Sequence, residues 1–95
     1  MDWPSQRLIE PYAKKGQVVA DLGCHSGFYT LPLAESVGPG GKVYAVDVDE
    51  KGILALEESA AKRGYANIET HAASAADISF IPDSSVDFIL ANGLL

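Results

Sequence analysis

Apolar and polar positions along the chain alternate in short blocks, and each block predicts one element. Residues 4–15 read as a helix, with Leu8, Ile9 and Tyr12 forming an apolar stripe. Pro4 suits its first turn, Pro11 breaks it or starts a second short helix, and Gly16 is a stop. Gln17 to Leu22 contains the continuous run Val18-Val19-Ala20, the pattern of a strand buried on both faces. Gly23 to Gly27 reads as a turn, followed by a helix to about Val37. Pro32 falls near that helix's start, where a missing N–H costs little, and Gly38-Pro39-Gly40-Gly41 ends it.

Val43-Tyr44-Ala45-Val46 predicts a second strand ending at Asp47. Asp49 can cap the next helix, Glu50 to Arg63, in which Ile53, Leu56 and Ala60 share a face. Glu58 and Lys62 are a favourable i,i+4 pair, and Gly64 closes the helix. Asn67 to His71 predicts a third strand. Residues 72–85 read mostly as loop, ending in the turn Pro82-Asp83-Ser84-Ser85. Val86 to Ala91 predicts a fourth strand centred on Phe88-Ile89-Leu90. Strands alternating with helices imply right-handed crossovers and a parallel sheet. Ligands of such sheets bind beyond the C-terminal ends of the strands. The functional residues should therefore lie just after Leu22, Val46, His71 and Ala91.

Composition changes this picture little. The 95 residues suit one domain or part of one, and 47% hydrophobic with 21% charged residues is ordinary for a globular protein. The net charge of −6 and the scattered basic residues disfavour nucleic acid as a partner. No apolar run approaches the length of a membrane span. The lone Cys24 has no partner for an internal disulfide, and the first residues lack a signal-peptide pattern, so a cytoplasmic location is the expectation.

The candidate chemistry lies in Asp21-Leu22-Gly23-Cys24-His25-Ser26-Gly27. A carboxylate ends a buried strand, a glycine turn comes next, and a helix starts soon after. Glycine allows a tight turn and a close approach to a ligand, while the helix start offers free N–H groups. Together they suit a small molecule carrying both a cation and an anion. Twenty residues beyond Gly27, Asp47 ends the second strand, where an acid can accept hydrogen bonds from ribose hydroxyls.

These residues resemble the class I S-adenosyl-L-methionine (SAM)-dependent methyltransferases, whose first strand leads into acid-x-Gly-x-Gly-x-Gly. Asp21, Gly23 and Gly27 match that motif, and His25 stands where the middle glycine usually is. Val43 to Glu50 resembles the family's second strand with its ribose-binding acid, Ala73 to Asp87 the loop flanking adenine, and Asp87 to Asn92 the fourth strand. The resemblance spans nearly the whole chain. It implies a Rossmann-like three-layer α/β sandwich with a parallel sheet in the order 3-2-1-4. It also implies SAM as cofactor and methyl transfer to an acceptor that the sequence does not name.

By the same resemblance, Asp21 would hold the methionine ammonium, directly or through water. Gly23 and Gly27, with His25 between them, would pass beneath the cofactor. Asp47 would bind the ribose and Val48 would pack on the adenine. Ser74 would read the adenine amino group, or Asp77 if the loop register differs, and the Ala75 N–H would meet a ring nitrogen. Asn92 would lie near the sulfonium. The family core has seven strands and this chain stops just after the fourth, so a truncated core, weak or inactive alone, is expected. An exposed fourth strand would allow a homodimer.

Plainer roles compete at each position. Asp21 could merely hold its turn, yet a carboxylate ending a buried strand is costly without strong partners, which favours binding. Asp49 is explained by capping. Cys24 reads as a small buried residue, His71 as a strand-end residue, Phe28 and Tyr29 as packing residues, and Asp87 as the start of its strand. His25 reads as a loop residue rather than a catalyst, at some strain if its φ is positive. A nicotinamide-dependent oxidoreductase would need Gly-x-Gly-x-x-Gly, and a phosphate-loop NTPase a lysine that residues 21–30 lack. The alternatives to methyl transfer are a module that binds SAM or a nucleoside without chemistry, or a nicotinamide-dependent oxidoreductase fragment.

Overall fold

The computed structural model describes residues 6–82 and 85–91. Among these residues, four strands form one parallel sheet in the order β3-β2-β1-β4. The strands are β1 (Val18–Leu22), β2 (Lys42–Asp47), β3 (Ile68–Ala72) and β4 (Phe88–Ala91). Three helices among the described residues, α1 (Gln6–Ile9), α2 (Thr30–Val37) and α3 (Glu50–Arg63), give the element order α1-β1-α2-β2-α3-β3-β4. The predicted sheet order is therefore the observed one.

Side chains alternate across the sheet, and the two faces are covered differently. Val19 and Val43 pack with Ile9, Ala13, Leu33, Ala34 and Val37, which places α1 and α2 on one face. Ala45 packs on that same face with Ile53, Leu56 and Ala60 of α3. The opposite face carries Ala20, Leu22, Tyr44 and Val46. It is covered by irregular chain, through Ala73, Ala75, Ile78, Phe80, Ile81 and Val86. Among the described residues this covering segment is irregular, as residues 72–85 were expected to be.

Element boundaries follow local chemistry. α1 stops at Ile9, two residues before Pro11, and the chain turns through residue 12, so the helix is shorter than residues 4–15. Gly23 (φ 85°), His25 (φ 52°) and Gly27 (φ 106°) all take positive-φ conformations that keep the predicted turn out of a helix, and α2 begins beyond it at Thr30. At the start of α3, Asp49 Oδ1 accepts from the Lys51 N–H at 3.1 Å. At its end the Gly64 N–H (φ 74°, ψ 22°) donates to the carbonyls of Ala60 and Ala61. Asp87 pins β1 to β4: its carboxylate accepts from the Val18 N–H at 2.8 Å, and its own N–H donates to the Val18 carbonyl at 2.7 Å.

Candidate functional site

The loop after β1 is tied to the end of β2. The N–H groups of Gly23 and Cys24 both donate to the Val46 carbonyl, at 2.7 and 3.0 Å. The His25 N–H donates to Asp47 Oδ2 at 2.8 Å, and the Asp49 N–H to Asp47 Oδ1 at 2.9 Å. The His25 ring reaches back as well, with Nδ1 3.5 Å from Asp47 Oδ2. Burial pushes Asp47 upward, but the N–H groups of Asp49 and His25, the His25 ring and the Val48 N–H outweigh it and hold the carboxyl below its usual range. An ionised carboxylate offers about four lone-pair sites, so these two hydrogen bonds leave room for two hydroxyl donors.

Asp21 differs in its hydrogen bonding and in the direction of its pKa shift. It is fully buried on the helix-covered face of β1. Its Oδ2 accepts from the Thr30 hydroxyl at 2.6 Å, while Oδ1 is buried without a hydrogen-bond partner. Burial raises its pKa from 3.8 to about 6, against the lowering effects of the Thr30 bond and the His25 ring and with a smaller push from Asp47. An orphaned carboxylate oxygen at a strand end, beside a glycine turn, has the chemistry to receive a cationic donor. An ammonium group fits that requirement. Cys24 is also buried, and burial, with the charges of Asp21 and Asp47 behind it, pushes its thiol up to about 12. It is therefore no nucleophile.

Two glycines allow close approaches around this loop. A Cβ on Gly27 would lie 2.7 Å from Leu56 Cδ1 and 3.3 Å from Leu31 Cγ, so the turn presses directly on α2 and α3. A Cβ on Gly52 would lie 3.0 Å from the His25 carbonyl oxygen, so α3 seats its first turn against the same loop.

The other predicted residues surround this centre. Val48 is 72% exposed next to Asp47, an apolar surface available to a ring. The Ala73 N–H donates to the Asp47 carbonyl at 2.9 Å, which brings the β3 loop alongside. Ser74 is exposed and its hydroxyl accepts from the Ala76 N–H at 3.1 Å. Its carbonyl accepts from the Asp77 N–H at 2.9 Å. Asp77 is exposed and accepts from the Ser79 hydroxyl at 3.1 Å, while Ala75 packs inward on the sheet. Asn92 lies outside the described residues. Sequence reasoning missed Thr30 and Gly52. A lone threonine before the apolar run Leu31 to Ala34, and a glycine inside a helical pattern, were the available signals.

Residues 13–95 match the family described as a methyltransferase domain. Demethylmenaquinone methyltransferase of Geobacillus stearothermophilus is 32% identical over 89 residues, covering 94% of this chain and 38% of that protein. A SAM-dependent methyltransferase of Aquifex aeolicus superposes with a TM-score of 0.78 at 40% identity, over 90% of this chain and 45% of that one. Coclaurine N-methyltransferase, solved with N-methylheliamine and S-adenosylhomocysteine (SAH), gives a TM-score of 0.66 at 31% identity over 73% of this chain and 21% of that one. The chain thus spans less than half the length of each of these relatives. On the match over residues 13–95, the sheet order and the acid–glycine loop, the chain belongs to the methyltransferase domain family, of the class I SAM-dependent type.

Proposed function

We propose that this chain binds SAM across the ends of β1 and β2 and serves methyl transfer to an acceptor. The observation that carries this reading is the pair of dissimilar carboxylates at the C-terminal ends of the neighbouring strands β1 and β2. Asp21, with its orphaned oxygen, takes the methionine ammonium. Asp47, ionised and with lone pairs to spare, takes the ribose hydroxyls. Gly23, His25 and Gly27 form the floor between them, and Val48 packs on the adenine. Ser74 or Asp77 accepts from the adenine amino group, and the Ala75 N–H serves a ring nitrogen. Asn92 is assigned to the neighbourhood of the sulfonium. Bound SAM supplies an activated methyl group on a good leaving group. The chain's contribution is alignment for in-line attack and shielding from water.

The setting of Cys24, a buried free thiol, agrees with a reducing compartment, and the cytoplasm is the proposed location. No helix among the described residues is long and apolar enough to cross a membrane.

Calorimetric titration with SAM, SAH and NAD tests the reading. The first two should bind and NAD should not. Asp47→Ala removes hydrogen bonds to a charged acceptor and should weaken SAH binding by roughly tenfold or more. Equal affinity of the variant, or preference for NAD, would overturn the assignment.

A further inference from the structure

Thr30 has no assigned contact with the cofactor, yet its hydroxyl is fully committed within the site. It is the first residue of α2 and, like Asp21, fully buried. A hydroxyl has one hydrogen to donate, and this one goes to Asp21 Oδ2 at 2.6 Å, a length typical of a bond to a charged acceptor. Few other groups face Asp21 among the described residues. The loop contributes the His25 ring and the Cys24 thiol, and β2 contributes Asp47. Its register partners on the neighbouring strands, Ala45 and Leu90, are apolar. Among the described residues, the Thr30 hydroxyl is therefore the one hydrogen-bond donor found on this carboxylate, and it fixes which oxygen stays unpaired.

We propose that Thr30 is a positioning residue for the cofactor: its hydroxyl holds one oxygen of Asp21 and so presents the other, charged and unpaired, to the ammonium of SAM. The proposal rests on the SAM-binding reading of the site. Its physical basis is that a hydrogen bond donated to a carboxylate favours the ionised form, against the burial that opposes it. With Thr30 in place Asp21 titrates at about 6 and is mostly ionised at neutral pH. Without that bond burial goes less opposed, the carboxyl keeps its proton to higher pH, and a neutral carboxyl makes no ion pair. Binding of an ammonium requires ionised Asp21, so affinity falls as pH drops through the titration of Asp21. Loss of the Thr30 bond moves that fall upward in pH.

The test is calorimetric titration of SAH between pH 5 and 8.5 into the wild-type chain, Thr30→Val and Thr30→Ser. A parallel titration uses 5′-methylthioadenosine, which keeps adenine and ribose but lacks the ammonium. Thr30→Val should weaken SAH at pH 7 by roughly tenfold. It should also raise the pH midpoint of affinity and leave methylthioadenosine unchanged, while Thr30→Ser should restore the wild-type profile. If Thr30 matters only for packing, the order reverses: valine, of the same shape, is tolerated, and serine, lacking the methyl group, is not. That outcome overturns the proposal, as does equal loss of both ligands in Thr30→Val. Wild-type chain that binds methylthioadenosine but shows no preference for SAH would overturn the ammonium assignment. Failure to bind either ligand would overturn the SAM-binding reading itself.

Discussion

At the scale of single residues, two carboxylates on neighbouring strands have pKa values shifted in opposite directions. Asp47 is held below its usual range by backbone N–H groups, whereas Asp21 is raised to about 6 by burial. The second has a thermodynamic consequence. Between 3.8 and about 6 the folded chain binds more protons at Asp21 than the unfolded chain does, so stability falls as pH rises through that window. Each pH unit of difference is worth roughly 1.4 kcal/mol, so ionised Asp21 costs the ligand-free fold about 3 kcal/mol at neutral pH. Denaturant unfolding from pH 4 to 7.5 should show that decline, and Asp21→Asn should flatten it. His25 shows the same tolerance of local cost. It accepts a left-handed conformation (φ 52°) and in return places its N–H on Asp47. Much of this was legible in the sequence, because an acid ending a buried strand has few innocent explanations. Thr30 was not legible, since the partner of a buried carboxylate is set by how α2 packs. Ser74 and Asp77 are both exposed, and each is engaged in a local hydrogen bond.

At the scale of elements, glycines decide how closely the helices approach the loop. Gly27→Ala puts a methyl group 2.7 Å from Leu56 and at φ 106°, so overpacking and backbone strain add. A loss of about 3 kcal/mol or more is expected by denaturant titration. Gly52→Ala sets two effects against each other. Alanine favours a helix over glycine by about 1 kcal/mol, while the new methyl meets the His25 carbonyl oxygen at 3.0 Å. Stability should change little, but SAH affinity should fall as the loop is displaced. Calorimetry and melting on the same variant separate the two. Across the other face, Lys42 pairs with Glu69 at 2.7 Å, Glu69 with His71 at 2.6 Å, and His71 stacks on Phe80 at 3.6 Å between ring centres. That series anchors the β3 loop to the sheet. Periodicity located every strand to within two residues. It also read Gly23 to Gly27 as a turn, where three residues take positive φ, and α2 starts shortly beyond it at Thr30.

For the molecule as a whole, the three helices among the described residues cover one face of the sheet, and residues 73–81 together with Val86 cover the other. Alternation predicted a parallel sheet with apolar residues on both faces, but not which chain segment would cover each, since that depends on tertiary packing. β4 has one strand neighbour among the described residues, and Ile89 stands 52% exposed on it. We expect concentration-dependent self-association through this edge, and Ile89→Lys should suppress it in sedimentation velocity without loss of fold. A species that stays monomeric at high concentration would remove the case for a homodimer.

The covering loop has a dual allegiance. Ala73, Ala75, Ile78, Phe80 and Ile81 press on the sheet, while Ser74 and Asp77, on the same short stretch, are exposed where adenine is assigned. Hydrophobic cohesion and ligand recognition therefore share one backbone. Occupancy of the adenine position should slow amide hydrogen exchange through residues 74–81, well beyond direct ligand contact, and substitutions that loosen Phe80 should speed cofactor dissociation without touching the cofactor.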